Sequence, residues 1–230
     1  MPDPDAAFYF DLASPIAYLA AERVLHVLGG PAEWQPVLAR ELSNAETFEA
    51  YRCRTEQEVF REEIERSADK QGLQPLKWPS PFPFDSALVM RVATYAKSIG
   101  RTVPFAQAAF RQAFAGGHSL EDPDFVLIAA AACEMHPAAV LKGARLRSVA
   151  EQLSTATALA AQAGVSDVPA VRIGEQVFVG ERAVEDAAAH AAEATNRRDA
   201  GDRLSAGDAG RGANAEDTPT AGDAGGAQAR

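Results

Sequence analysis

Cysteine is nearly missing from this chain. Its 230 residues hold two, Cys53 and Cys133, far apart in helical-looking sequence. Neither belongs to a C-x-x-C pair or to a metal-type spacing, so a dithiol redox motif and a zinc site are both excluded, and the two read as buried or idle thiols rather than a bridge. Long apolar runs are missing as well: the longest, Phe125 to Cys133, is too short to cross a bilayer, and MPDPDAAF lacks the basic and apolar segments of a secretory leader. A soluble, cytoplasmic protein without membrane partners is expected. Positive charge is in short supply, with 22 Lys+Arg against 32 Asp+Glu and a formal charge of -10, which argues against nucleic acid or anionic lipid as a partner. None of the four histidines (His26, His118, His136, His190) has a companion at metal or triad spacing, and no G-x-S-x-G elbow, P-loop or dinucleotide fingerprint occurs. No metal is expected.

The chain is 47% apolar, enough for one sizeable core. Residues 7–12 (AFYFDL) read as a buried strand, and Pro15 to Leu28 shows a helical apolar pattern stopped by Gly29-Gly30 and Pro31. WQPVL at 34–38 is a short strand that Pro36 assigns to an edge or a bulge. Ala45 to Gln71 follows as an amphipathic helix with Phe48, Tyr51, Val59, Phe60 and Ile64 on its buried stripe. The connector WPSPFPF at 78–84 breaks the pattern. Further helices are expected from Asp85 to about Ile99, from Pro104 to about Ala115, from Pro123 with Asp122 as cap, and from about Ala144 to Ala163. The signal then returns to strands, AVRI at 170–173 and QVFV at 176–179 around Gly174-Glu175, which is hairpin spacing. A last helix runs from Arg182 to Ala194, and the Ala/Gly/Asp-rich remainder from Thr195 reads as a disordered tail.

Strand, helix, strand, helices, hairpin, helix is the order of an α/β protein: a thioredoxin fold with a large all-helical insertion between the second strand and the cis-proline strand. The thioredoxin-like part would be residues 7–40 and 164–194, the helical insertion 41–163 and the tail 195–230. Val168-Pro169 sits directly before the AVRI strand, where that fold places a cis-proline facing the active-site loop, and X-Pro is the one step at which a cis bond costs little. Where redox-active members carry C-x-x-C, this chain has Ser14-Pro15-Ile16-Ala17. Disulfide exchange needs an attacking thiolate, so ordinary oxidoreductase chemistry is not expected there. What remains is a hydroxyl at the positive end of a helix.

The segment FYFDLASPIAYLA resembles the start of the 2-hydroxychromene-2-carboxylate isomerases and kappa-class glutathione transferases, members of the DsbA-like superfamily, which commonly open F-x-F-D-x-x-S-P-x-x-Y-L-A. WPSPFPFDS and GVSDVPAVRIGEQVFVGERAV are similar to later segments of the same family, and the likeness covers residues 7 to 193. It implies a thiol-dependent isomerase or transferase acting on an electrophilic small molecule, with glutathione or another low-molecular-weight thiol as cofactor. Ser14 would hold the sulfur, Val168 beside Pro169 would offer its backbone, and Val179, Gly180, Glu181 and Arg182 would contact the thiol's remainder. Trp78, Phe84 and Asp85 would lie near the co-substrate, and a homodimer is implied. The chain departs from the family in a shorter Gly180-Glu181-Arg182 turn and in lacking a G-N-x-P-type segment, for which Asn44 is a distant substitute.

Read from the residues alone, Ser14 followed by Pro15 is an ordinary helix start. A hydroxyl has one proton and two lone pairs, so Ser14 can accept a backbone N–H as cap and still donate to a sulfur. Asp11 reads as a polar residue ending its strand, and Asp85 with Ser86 as a helix cap. Trp78, Phe82 and Phe84 fit either a pocket lining or a core cover. Two other functions stay open: a redox-silent groove that binds a ligand or peptide without turnover, and an atypical oxidoreductase relying on Cys53 or Cys133.

Overall fold

The structure, a computed structural model, describes residues 6–43 and 54–195. Asn44, Phe48, Tyr51, Cys53 and the stretch from 196 onward lie outside the described residues. The elements are β1 (Ala6–Phe10), α1 (Pro15–Val27), β2 (Glu33–Pro36), a 3-10 turn (Ala39–Glu41), α2 (Arg54–Lys70), α3 (Ala87–Ser98), α4 (Thr102–Phe114), α5 (Pro123–Ala131), α6 (Pro137–Ala144), α7 (Arg147–Gln162), β3 (Ala170–Ile173), β4 (Gln176–Val179) and α8 (183–195). The helix expected from about Ala144 to Ala163 is α7, which starts at Arg147, and α6, with Pro137 at its first turn after His136, is an additional helix before it. Residues 1–191 form one compact unit, and helices α2 to α7 belong to it together with the sheet. Of the second unit only 192–195 are described, as the last turn of α8.

The sheet has the order β2-β1-β3-β4, with β1 parallel to β2 and antiparallel to β3. β1 is central because its side chains are aromatic and wholly buried: Phe8 and Phe10 are fully covered and both rings meet Trp34 edge-on from β2. Pro36 is the last residue of an edge strand, where its missing N–H costs no ladder bond. Gly174, at φ +57, makes the tight β3–β4 turn that a side chain would strain. On the helical side Phe110 of α4 packs against Phe10, and Tyr18 of α1 stacks on Phe114 of α4, so sheet and helices share one aromatic core.

One buried carboxylate ties the ends of these layers together. Asp11, one residue past β1 and 3% exposed, accepts the Ala13 N–H on Oδ1 and both the Ala39 N–H and the Ser86 hydroxyl on Oδ2, all at 3.0 Å. It thereby joins the β1–α1 loop, the segment after β2 and the start of α3. The segment after β2 has no strand partner of its own, yet three successive amides are satisfied by three different elements. Val37 donates to the Phe10 carbonyl at 3.1 Å, Leu38 to the Thr157 hydroxyl of α7 at 3.0 Å, and Ala39 to Asp11. Burial raises the Asp11 pKa above its ordinary 3.8, and the three hydrogen bonds and the nearby Arg40 charge offset this only in part.

Asp11→Ala strands two buried donors, the Ala39 N–H and the Ser86 hydroxyl, and is expected to cost about 2–4 kcal/mol in urea unfolding. Thr157→Val strands one, the Leu38 N–H, and should cost about 1–2 kcal/mol. Because its folded pKa is raised, Asp11 keeps its proton in the folded state at pH values where the unfolded chain has released it. Its contribution to stability is therefore greatest below pH 3.8 and is lost as pH rises through the folded value, after which it is flat. Stability-versus-pH curves of the native protein and Asp11→Asn should differ by that falling slope, and parallel curves would refute the assignment.

Candidate functional site

Ser14 stands where the β1–α1 loop becomes helix. Its backbone is extended (φ -90, ψ 114), its amide donates to the Asp11 carbonyl at 3.0 Å, and its Oγ accepts the Ala17 N–H at 3.1 Å. Pro15 follows at the first helical position. The cap reading is thus realised, through an acceptor bond that leaves the hydroxyl proton unused: among the described residues no acceptor for it is found, and the side chain is half-exposed rather than packed under its neighbours. The first-turn amides of α1 and their dipole put partial positive charge at this point. Asp11 fixes the loop from below, so the hydroxyl is held on a rigid element.

The Val168–Pro169 bond is cis. Strand register brings it to the same end of the sheet as Ser14: β1 and β3 run antiparallel with Tyr9 opposite Ala170, and one step further sets Phe10, the residue before Asp11, beside Pro169. The Val168 side chain is buried with Val37 and Val165, and its N–H donates to the Asp167 carboxylate at 2.7 Å. The turn after β4 is fastened here too, because Gly180 donates to the Pro169 carbonyl at 2.9 Å. Val179 pairs with Ala170, and Gly180 accepts from Ala183 at the start of α8. The side chains beyond Gly180 are engaged elsewhere. Glu181 accepts from Ser67 of α2 at 2.7 Å and its carbonyl from Arg23 of α1, while Arg182 pairs with Asp186 along α8.

The aromatic connector packs rather than standing open. Trp78 donates through Nε1 to Glu65 at 2.7 Å, carries the Arg61 guanidinium over its ring and meets Phe60, Phe82 and Phe114. Since Phe114 stacks with Tyr18, this cluster lies against α1 one turn beyond Ser14. Phe84, 7% exposed, belongs to the core, with its ring covered. Asp85 is exposed, pairs with Arg40 at 2.8 Å and accepts the Ala87 N–H, so it caps the start of α3 from one residue before Ser86. Ser86 makes no cap bond; its hydroxyl goes to Asp11.

Two other readings from sequence meet the structure here. Asp11 is no mere boundary residue, and the signal was available: a carboxylate following the buried aromatic run AFYF must be buried with it and must find donors. Cys133 follows α5 within the helical layer, 6% exposed, and burial raises its thiol pKa despite the Arg101 charge, so it is poorly disposed to act as a thiolate. Among the described residues no cluster of side chains suited to a metal ion occurs, and no helix is long and apolar enough to cross a membrane.

Comparison with known proteins bears on this arrangement. A search of curated protein sequences gave no match. Among solved structures, a 2-hydroxychromene-2-carboxylate isomerase superposes with a TM-score of 0.72 at 17% identity, over 84% of this chain and 98% of its own. A probable DsbA oxidoreductase from Streptomyces coelicolor gives 0.70 at 16% identity, over 83% and 89%. The cytosolic disulfide reductase DsbM from Pseudomonas aeruginosa, in a structure with GSH, gives 0.57 at 12% identity, over 84% and 98%. At such identities these likenesses speak for the fold. The family model of the DSBA-like thioredoxin domain matches residues 7–192, and the chain belongs to that family.

Proposed function

We propose that the protein is a thiol-dependent isomerase or transferase, binding glutathione or another low-molecular-weight thiol at Ser14 and acting on an electrophilic, aromatic small molecule. The observation that carries this reading is the unused proton of the Ser14 hydroxyl, held at the positive end of α1 and at the same end of the sheet as the Val168–Pro169 step. A thiol bound there would supply a nucleophile that adds reversibly to an electrophilic carbon, giving isomerisation if it leaves again and transfer if the adduct departs.

The chain's own contribution is to make and hold the thiolate. A helix terminus favours a nearby anion by about 0.3–1 kcal/mol. A hydrogen bond to a charged acceptor adds about 1.5–3 kcal/mol, and half-exposure of Ser14 puts the lower end of that range in force here. At about 1.36 kcal/mol per pKa unit, the two lower a thiol that starts near 8.5 by roughly one to two units, so that it is substantially ionised at neutral pH without a catalytic base. Asp11 and Pro15 keep the hydroxyl in place, and the Trp78–Phe82–Phe114 cluster supplies an apolar flank one helical turn away. A cytoplasmic setting, where such thiols are plentiful, suits this chemistry.

Titration of glutathione and simpler thiols, followed by thiolate absorbance, tests the proposal. The native protein should lower the bound thiol's pKa, and Ser14→Ala should return it upward by about one unit while leaving the fold intact. A thiolate signal indifferent to that substitution would leave a groove without this chemistry. Cys133→Ala should change neither binding nor signal, and a loss of activity in it would favour an oxidoreductase instead.

A further inference from the structure

The β3 ladder ends at Ala170, which pairs with Tyr9 on one side and Val179 on the other. Val168 lies beyond it, so its N–H has no strand partner. A peptide-like ligand laid against a strand end binds through such unpaired backbone groups, its carbonyl taking the amide and its side groups taking pockets. Here the amide is already taken. The neighbouring Asp167 folds its side chain back and accepts the Val168 N–H at 2.7 Å, occupying with a carboxylate oxygen the place a ligand carbonyl would use. The carboxylate is half-buried, and among the described residues it forms no ion pair that would neutralise it. Burial raises its pKa and the Val168 bond offsets this in part, so the ionised group relies on that one amide.

We propose that Asp167 is a specificity-determining residue of the thiol site, screening the Val168 amide so that peptide-backbone thiols bearing carboxylates are held weakly and small thiols that need no backbone pairing are admitted. This rests on Ser14 being the thiol site. It narrows the thiol class: glutathione, with a peptide backbone and two carboxylates, must displace the Asp167 side chain and face its charge, whereas an aminothiol such as cysteamine reaches Ser14 without using the amide.

The test is calorimetric titration of glutathione and of cysteamine into the native protein, Asp167→Ala and Asp167→Asn, with circular dichroism confirming that each variant is folded. Removal of one charged hydrogen-bonding competitor should tighten glutathione about tenfold in Asp167→Ala. Asp167→Asn keeps an acceptor oxygen in place and should gain less, and cysteamine should bind no more tightly to either variant. An amide-exchange readout is independent of ligand: in the protein alone, the Val168 N–H should exchange faster in Asp167→Ala than in the native protein. Native protein and Asp167→Ala binding glutathione equally, or cysteamine gaining as much as glutathione, would overturn the role of Asp167 and leave the Ser14 site standing. Failure of every form to bind either thiol would overturn both.

Discussion

A buried carboxylate organises this molecule. Asp11 is covered on all sides and yet ionisable, and its two oxygens take three donors from three separate segments. Taking such a group out of water is costly unless its lone pairs are filled. Here the donors that fill them are the ones the fold would otherwise leave stranded: the Ala13 amide of the β1–α1 loop, an amide after β2 that no strand reaches, and the serine before α3. Each group solves the other's problem. The result is a fixed platform at one end of the sheet, and Ser14 is mounted on it.

The same logic of unladdered backbone runs around the sheet end. β1, β2 and β4 stop there and β3 begins there, so the segments that continue past them must find partners one by one. Val37 takes the Phe10 carbonyl, Leu38 the Thr157 hydroxyl, Gly180 the Pro169 carbonyl, and Val168 its own neighbour's carboxylate. Groups satisfied this way tie the loops to the sheet, but an amide satisfied by a side chain is also one that a ligand can claim by displacing it. Ser14 and Val168 differ in this respect. The serine has given away a lone pair and kept its proton, whereas the valine amide has given its only proton to Asp167.

Much of this fold was legible in the sequence. The strands β1, β3 and β4 follow from AFYF, AVRI and QVFV, whose aromatic and β-branched residues fit a sheet, with Gly174 marking the hairpin and Pro36 marking an edge. The Ser14-Pro15 start of α1 and the Asp122-Pro123 start of α5 were equally plain, since cap chemistry is local. What sequence left hidden is long-range. Nothing near Asp11 in the chain announces Ala39 or Ser86, and nothing near Leu38 announces Thr157 on a helix more than a hundred residues away. For the same reason the covered ring of Phe84 could not be told from an open one: WPSPFPF has the composition of either, and only its packing decides. The short helix α6 went unread because its eight residues are too few for a clear apolar period, leaving Pro137 at its first turn as the one strong signal.

The relatives of similar fold include both a carboxylate isomerase and disulfide-handling proteins, so the fold does not choose between them. The proposed activity rests instead on the residue at the start of α1, because a hydroxyl can polarise a sulfur that it cannot itself replace. The most direct measurement is a crystal structure of the protein with a bound low-molecular-weight thiol. The sulfur should lie within hydrogen-bonding reach of the Ser14 Oγ, with the rest of the molecule bordered by the Val168–Pro169 step. A thiol seated elsewhere, or a Ser14 hydroxyl turned inward with its proton given to the chain, would contradict it.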